Sequence, residues 1–450
     1  MTNEYKLTRE QFADALAKGL GRAMLYIKHY GLDNVKDIVL EACIHNTTYD
    51  VQCEDVKAQW LYEMFKDTSH YNDFRAAILA AMKEKNEWHD AVGLCDLATE
   101  MALDGDELAK ETLRAFVLNA AANEKKYFDL GIYEYIRVGG EQAVLELAKI
   151  YGQRLIDNPE DSVPETLTFE DENRVKFAQL LQEQCCSDNR IKVYFDYANA
   201  NGGLELPKTK SQEERAIDWE NTKNEFLSTY NAEKIIETAV EGSIDSMSFY
   251  RRYGIFADES DLKLVLSRLP GEQNNEVRKR LLWVFGKAAM PIVDERIFEW
   301  ANSDNAKFRA AILIALANCE DDKVHDFACA RLKVGKIIGW PDHLVFDIFS
   351  LNYSVGDAKL IMDTILASKA DKHDIHSFGL SITSIAEENK TNELKELLIW
   401  VYENTPCSNC REQAVDRLKD IEALSQEIID ECLCDGFEEI REFVRNMKNQ

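Results

Sequence analysis

The sequence predicts an all-α fold, an α-solenoid of stacked antiparallel helix pairs with an irregular middle section. Its 450 residues include only 7 prolines and 20 glycines, so helix breakers and β-turn formers are scarce. Apolar residues recur at offsets of 0, 4, 7, 8 and 11, which mark one face of an α-helix. The hexapeptide Phe-Arg-Ala-Ala-Ile-Leu occurs twice, at 74–79 and at 308–313, which indicates one structural unit used again.

The first segment, residues 1–156, carries N-terminal helical repeats with a period of about 39 residues. The apolar faces of three helices begin at Val35, Phe74 and Leu113, with spacings of 39 and 39. The third position of each face is alanine, and a small side chain there lets a neighbouring helix come close. We therefore expect stacked helix pairs in this segment.

Residues 157–260 form the irregular helical middle section, with two loops. The loop at 157–173 has two prolines and many acids, and the loop at 199–215 contains a Gly-Gly pair and a proline. The helical stretches between and after these loops do not follow the repeat pattern. Long loops of this kind are often functional or disordered, so we expect them to contribute to partner binding.

The last segment, residues 261–450, carries repeats with spacings of 31, 36, 34 and 32 residues. Their apolar faces begin at Val277, Phe308, Leu344, Phe378 and Cys410. Stretches typical of a second helix lie between these faces. Two helices per unit and a period of about 30 to 45 residues are typical of an α-solenoid, in which stacked units share one continuous core.

The stretches 274–288 and 303–332 resemble HEAT repeats. In that family, a turn with Asp or Asn leads into a second helix that starts hydrophobic-Arg-x-x-Ala. Three pairs stand at comparable places: Asn274 with Arg278, Asp304 with Arg309, and Asp73 with Arg75. The resemblance covers about 260–420 and, less closely, 30–155. It implies that the arginine ties adjacent units along the stack, and it says almost nothing about function.

The charge of the chain bears on its partners. With 53 basic and 81 acidic residues, the net charge is -28, which disfavours nucleic acid and anionic membranes. It favours a protein partner with a basic surface, unless the acidity only keeps a large surface soluble. The start shows no secretory signal, no run has the length of a membrane span, and eleven cysteines suit a reducing compartment. We therefore expect a cytoplasmic protein without a membrane partner.

The leading functional hypothesis is a non-enzymatic protein-binding scaffold or adaptor that uses the concave surface of the solenoid. One alternative is a HEAT-like nucleic-acid-binding or DNA-base-repair protein, which would need the cations of 251–252, 278–280 and 331–336 on one face. A weaker alternative is a HEAT-type lyase or modifying-enzyme subunit. No common nucleotide-binding, metalloprotease or hydrolase motif is present, so no catalytic residue or cofactor is predicted. Candidate partner-binding residues are Trp340, which lies in a predicted loop, Arg251 and Arg252.

Four cysteines near the end of the chain could offer thiolates to zinc: Cys407, Cys410, Cys432 and Cys434. However, Cys410 occupies the first apolar position of its repeat, and Cys432 follows Ile428 by four residues, so both should point into the core. We therefore interpret these residues as buried structural thiols and predict no metal, with zinc as the alternative.

A second candidate site lies between two N-terminal helices, where His45, Asp50, Cys53 and Glu54 could form a Cys–His site. The simpler interpretation is that the acids stand near the start of the next helix, where negative charge is favoured. A cysteine and a histidine that are merely close in sequence do not make a catalytic triad. No catalytic role is predicted for these residues.

Overall fold

The computed structural model describes residues 5–51, 54, 57–84, 87–123, 129–168, 170–206, 210–335, 337 and 339–448. Every regular element within these ranges is helical, which confirms the predicted all-α fold. Among the described residues, no helix combines the length and the apolar character needed to cross a membrane.

The helices of the first half are α1 (Arg9–Lys18), α2 (Gly21–Tyr30), α3 (Lys36–Ile44), α4 (Ala58–Phe65), α5 (Tyr71–Ala81), α6 (Trp88–Leu103), α7 (Glu107–Asn123), α8 (Ile132–Asp157), α9 (Asp171–Gln184), α10 (Asn189–Ala200) and α11 (Gln212–Thr229). Those of the second half are α12 (Ala232–Glu241), α13 (Met247–Phe256), α14 (Glu259–Arg268), α15 (Asn275–Val284), α16 (Arg296–Trp300), α17 (Ala306–Leu316), α18 (Asp322–Lys333), α19 (Asp357–Ala367), α20 (Lys372–Glu388), α21 (Lys395–Asn404), α22 (Ser408–Asp420), α23 (Gln426–Cys432) and α24 (Glu438–Lys448). Short 3₁₀ helices span Leu269–Gly271, Asp342–Ser350 and Asn392–Leu394.

The chain divides into two compact units. Unit 1 comprises Met1–Thr209 together with Glu427–Gln450, and unit 2 comprises Lys210–Gln426. The segment boundaries suggested by periodicity, after residues 156 and 260, fall inside these units. The segments and the units differ because helical periodicity depends on residues that are close in sequence, whereas a compact unit is defined by contacts between distant segments.

The C-terminal segment of unit 1 packs against the first helices of the chain. The Trp60 indole N–H donates a 2.8 Å hydrogen bond to the Cys434 carbonyl. Arg22 pairs with the largely buried Glu431 at 2.6 Å. A Cβ on Gly21 would lie 1.9 Å from the Glu431 carbonyl oxygen, so only glycine permits this approach of α2 to α23. Backbone contact, together with one ion pair, therefore holds the two ends of the chain in one unit.

Arginines of three helices bind acids 31, 32 and 33 residues further along the chain. The pairs are Arg75 with Asp106 at 3.0 Å, Arg114 with Glu146 at 3.0 Å, and Arg309 with Asp342 at 3.1 Å. All three acids are mostly shielded from solvent, with exposed side-chain fractions of 7%, 19% and 15%. Shielding strengthens a charge-assisted hydrogen bond, so each pair couples two successive parts of the helical array.

Unit 2 also contains a ladder of asparagines. The side-chain amides of Asn318, Asn352 and Asn389 each donate to the carbonyl four residues earlier in their own turn. Each also donates to a carbonyl 33, 33 or 39 residues earlier in the chain, at 3.3, 2.8 and 2.8 Å. Asn352 stands where the repeat pattern calls for an apolar residue. It is buried because these bonds satisfy its amide and a carbonyl of the preceding helical segment.

Candidate binding site in unit 1

Unit 1 contains a cavity of about 600 Å³, which we call the acidic cavity. Its walls come from α4, α6, α8, α24 and the segment that precedes α4. The lining residues are Asn46, Val51, Glu54, Ala58, Gln59, Trp88, His89, Val92, Asp96, Glu100, Glu134, Arg137 and Glu438. A cavity of this volume has room for a large side chain together with part of the backbone that carries it.

One wall of the cavity is a row of side chains along α6. Trp88, Val92, Asp96 and Glu100 are spaced by four residues, so they lie above one another on the same face of the helix. The row passes from an aromatic ring, through an aliphatic side chain, to two carboxylates. Trp88 is 37% exposed, so its ring is open to contact. The sequence carries this spacing, but an ordinary solvated helix face has the same pattern, and sequence analysis missed the row.

The electrostatics of the cavity are strongly one-sided. Among its described lining residues, five are acidic and one, Arg137, is an arginine. Arg137 pairs with Glu100 at 3.2 Å, and the Glu100 side chain is only 16% exposed. Burial raises the pKa of the Glu134 carboxyl above its usual range, although Arg137 acts in the opposite direction. A carboxylate that burial disfavours in its charged form gains from any cation that enters, so the cavity favours a positively charged ligand.

The segment before α4 is held in place by acids at its two ends. Asp90 accepts a 2.7 Å hydrogen bond from the Asn46 backbone N–H and lies 3.1 Å from His45 Nδ1. Glu54 accepts the Asp50 backbone N–H at 2.9 Å and lines the cavity. His45 is therefore directed to Asp90 on α6, while Glu54 closes a turn. Cys53, the remaining member of the candidate Cys–His site, lies outside the described residues.

The three candidate partner-binding residues lie in unit 2. Trp340 is 56% exposed, immediately before the 3₁₀ helix Asp342–Ser350. Arg252 is exposed and lies over the Phe226 ring, 5.9 Å from its centroid. Arg251 is half-buried, and this burial lowers the pKa of its guanidinium. The exposure of Trp340 suits an anchor, and its binding role remains a prediction.

Most of the described basic residues at 278–280 and 331–335 are already engaged by neighbouring groups. Lys279 and Arg280 lie 3.6 and 3.0 Å from Asp245. Arg278 lies over the Trp300 ring, 4.3 Å from its centroid. Arg331 pairs with Asp342 at 2.6 Å. Lys336, which belongs to the last basic stretch, lies outside the described residues. Lys279, Arg280 and Arg331 are therefore paired with acids, which reduces the charge that they offer to phosphates.

The four C-terminal cysteines divide between the units. Cys432 and Cys434 belong to unit 1, and Cys407 and Cys410 belong to unit 2. Cys407, Cys410 and Cys432 are buried, as predicted for Cys410 from its repeat position and for Cys432 from its spacing to Ile428. Cys434, also predicted to be a buried thiol, is only partly buried. Cys407 and Cys410 come together with His376, with all three ligand atoms within 4.8 Å of one another. Within the described part of the chain, Cys432 and Cys434 belong to no such group of three.

A second cluster in unit 2 combines Cys329, His325 and Asp357, the residue types of a nucleophilic triad. The same His325 nitrogen, Nε2, lies 2.9 Å from Asp357 and 3.4 Å from the Cys329 sulfur. A triad needs the two partners on opposite ring nitrogens, so this geometry does not relay a proton from the thiol. Burial, reinforced by Asp357, raises the pKa of Cys329 to about 11, which keeps the thiol protonated and unreactive.

Comparison of the chain with protein-family models, with curated proteins and with solved structures finds no match in any of the three. The resemblance to HEAT repeats therefore remains a prediction.

Proposed function

We propose that this protein is a non-enzymatic protein-binding scaffold, and that the acidic cavity of unit 1 receives a basic segment of its partner. The proposal rests on the row of side chains along α6, from Trp88 to Glu100, which lies beside the ion pair between Glu100 and Arg137. This pair shows that the cavity accommodates a guanidinium against a shielded carboxylate. The other acids of the described lining, Glu54, Asp96, Glu134 and Glu438, outnumber this one arginine. The ring face of Trp88 offers a contact to a cation of the partner.

The proposed scaffold is an α-solenoid of HEAT-like repeats. The arginine–acid pairs support this architecture because they join positions 31, 32 and 33 residues apart, within the range of about 30 to 45 residues typical of one solenoid repeat. The asparagine ladder supports it in unit 2, because each amide bonds to a carbonyl roughly one repeat earlier. Stacked helix pairs present extended surfaces that suit an extended peptide or a helix. The described cysteines form no disulfides, which suits the reducing cytoplasm.

The partner chemistry that fits best is an extended peptide with arginine or lysine beside an apolar residue. Its cation would face Asp96 and Glu134, while its apolar neighbour would contact Val92 and Trp88. Charge complementarity of this kind speeds association and weakens with rising salt. The nucleic-acid alternative has less support, since Lys279, Arg280 and Arg331 are paired with acids. No observation favours a lyase subunit.

The test is fluorescence anisotropy with labelled peptides of equal length, one rich in arginine and lysine and one with those residues changed to glutamine. We expect the basic peptide to bind, and the double variant D96N/E100Q to bind it at least about tenfold more weakly. The matched control is E299Q/D304N, which removes the same charges from a cavity of unit 2 and should bind like the parent.

Two results would count against the proposal. Equal binding of the basic and glutamine peptides would remove the role of charge. If D96N/E100Q and E299Q/D304N lose the same amount of affinity for the basic peptide, only the overall charge of the protein matters, not the cavity. Duplex DNA at about 150 mM salt, where the Debye length is about 8 Å, serves as the competing ligand. Sub-micromolar DNA binding under that condition would favour the nucleic-acid alternative instead.

A further inference from the structure

We propose that His376, Cys407 and Cys410 form a zinc-binding site in unit 2 that joins α20 to α22. The site is separate from the acidic cavity and does not depend on the proposed scaffold function. Sequence analysis weighed zinc only with the four cysteines and interpreted Cys407 and Cys410 as buried thiols. The structure adds a ligand that sequence reasoning missed, the imidazole of His376.

The start of α22 brings the two thiols together. Cys407 is the N-cap residue of α22, and Cys410 lies three positions later, in the first turn. Side chains at these two positions face each other, as they do in a capping box. The Cys-x-x-Cys spacing at a helix start therefore presents two sulfurs to one side, which is the arrangement found in many zinc sites.

The third group comes from α20. His376 lies three residues before Gly379, so the two lie on the same face of that helix. A Cβ on Gly379 would lie 3.5 Å from the Cys410 Cβ and 3.6 Å from its sulfur. Glycine at this position thus leaves α20 in direct contact with Cys410, beside the imidazole.

The distances fit a tetrahedral metal. His376 Nδ1 lies 3.5 Å from the Cys410 sulfur, and all three ligand atoms lie within 4.8 Å of one another. Zinc bonds of about 2.3 Å to sulfur and 2.1 Å to nitrogen, at tetrahedral angles, place these atoms about 3.6 Å apart. The two sulfurs of such a site are about 3.8 Å apart. The ligand atoms can therefore hold zinc with little movement.

The donor set selects the metal. Two thiolates and one imidazole favour zinc over magnesium or calcium, which prefer oxygen ligands. The two cysteines are buried and His376 is half-buried. The three ligands found among the described residues leave the fourth position of a tetrahedral zinc for water or another small ligand. Each thiol gives up its proton to solvent as its sulfur binds the metal, so loading of protonated thiols releases two protons and strengthens as the pH rises.

The cluster of His325, Cys329 and Asp357 does not fit zinc equally well. Its nitrogen and carboxylate oxygen are 2.9 Å apart, the length of a direct hydrogen bond. A tetrahedral zinc would hold these two ligand atoms about 3.4 Å apart. We therefore assign this cluster as a hydrogen-bonded link between α18 and the start of α19.

The test begins with the full chain, stripped of metal under reducing conditions and titrated with cobalt as a spectroscopic probe of thiolate ligands. We expect one cobalt per chain, a thiolate-to-cobalt charge-transfer band, visible bands typical of tetrahedral coordination, and displacement by one equivalent of zinc. Bound zinc should also raise the Tm, because it binds the folded state alone.

Three variants locate the site. C407S/C410S should lose the charge-transfer band, and H376Q should bind cobalt at least about tenfold more weakly while keeping a thiolate band. The control C185S/C186S also removes two thiols and should behave like the parent. Circular dichroism confirms that each variant is folded, and the half-buried position of His376 makes H376Q the safer test. Absence of a thiolate band in the parent, or its persistence in C407S/C410S, would overturn the proposal.

Discussion

The two copies of Phe-Arg-Ala-Ala-Ile-Leu place one hexapeptide in both units. In unit 1 it begins at Phe74 in α5, and in unit 2 it begins at Phe308 in α17. The phenylalanine and the isoleucine of each copy are at most 1% exposed. The same two positions therefore face a core in both places.

The arginines of the two copies also behave alike. Arg75 binds Asp106, and Arg309 binds Asp342, in each case an acid about one repeat further along the chain. Asp342 accepts a second arginine, Arg331, at 2.6 Å, so the copy in unit 2 is part of a larger charged cluster. The hexapeptide thus supplies the arginine of an ion pair with a later acid, and the surroundings of that acid decide how many arginines share it.

The alanines differ between the copies. Ala76 is exposed in unit 1, whereas its counterpart Ala310 is buried in unit 2. Identical local sequence therefore fixes the helix and its inward face, while the neighbouring helices decide whether the flanking side of the helix is covered. Substitutions at matched positions of the two copies test this distinction directly.

The largest effect is expected at the shared core position. Ile78→Ala and Ile312→Ala should each lower the free energy of unfolding by about 2–5 kcal/mol, because both side chains are completely buried. Denaturant unfolding measures the loss. The control Val355→Ala removes part of a side chain that is 91% exposed, and it should behave like the parent. If either isoleucine variant unfolds like the parent, the register assigned to that copy is wrong.

An intermediate effect should separate the two copies. Ala310→Leu adds volume to a packed position and should lower the free energy of unfolding by about 1–3 kcal/mol. Ala76→Leu adds the same volume on an exposed side and should change it by no more than about 0.5 kcal/mol. Thermal melts of the two variants, made in the same background, provide the comparison. Equal losses would show that the exposed side of α5 is covered in solution.

The smallest effect is expected for the ion pair between Arg75 and Asp106 in unit 1. Although burial raises the pKa of Asp106, hydrogen bonds from Ala109, Tyr71 and Arg75 outweigh it and hold the pKa below its usual range. Asp106→Asn removes the charge and replaces one of the two oxygens that accept from Ala109, Tyr71 and Arg75 with an NH2 group that cannot accept. We expect this to cost about 1 kcal/mol at neutral pH, because the arginine of the pair is partly exposed.

The sign of the pH dependence follows from this lowered pKa. The carboxylate stabilises the folded state above the unfolded-state pKa of about 3.9, and that contribution is lost as the pH falls through the folded-state value. The difference in stability between the parent and Asp106→Asn should therefore shrink as the pH is lowered below about 4. A difference that stays constant into this range would mean that the charge of Asp106 contributes nothing to the ion pair.

The helical class and the buried positions Phe74 and Ile312 could be predicted from the sequence, because helical periodicity is a local property. Sequence analysis also placed Cys410 in the core, for the same reason. It did not find the acidic cavity, because Glu134 and Glu438 are separated by about three hundred residues and meet only through the packing of the C-terminal segment in unit 1. It likewise missed His376, which precedes Cys410 by 34 residues, about one repeat.

The sequence by itself determined that the chain is helical, which face of its helices is buried, and that its net charge is -28. These properties follow from residue spacing and composition, which act within a few turns of helix or over the whole molecule. Only the tertiary structure decided which acids line a cavity and which form ion pairs with arginines such as Arg309. It also decided which cysteines meet a histidine. The physical reason is that both outcomes depend on distances of a few ångströms between side chains from different helices, and these distances are set by packing rather than by spacing along the chain.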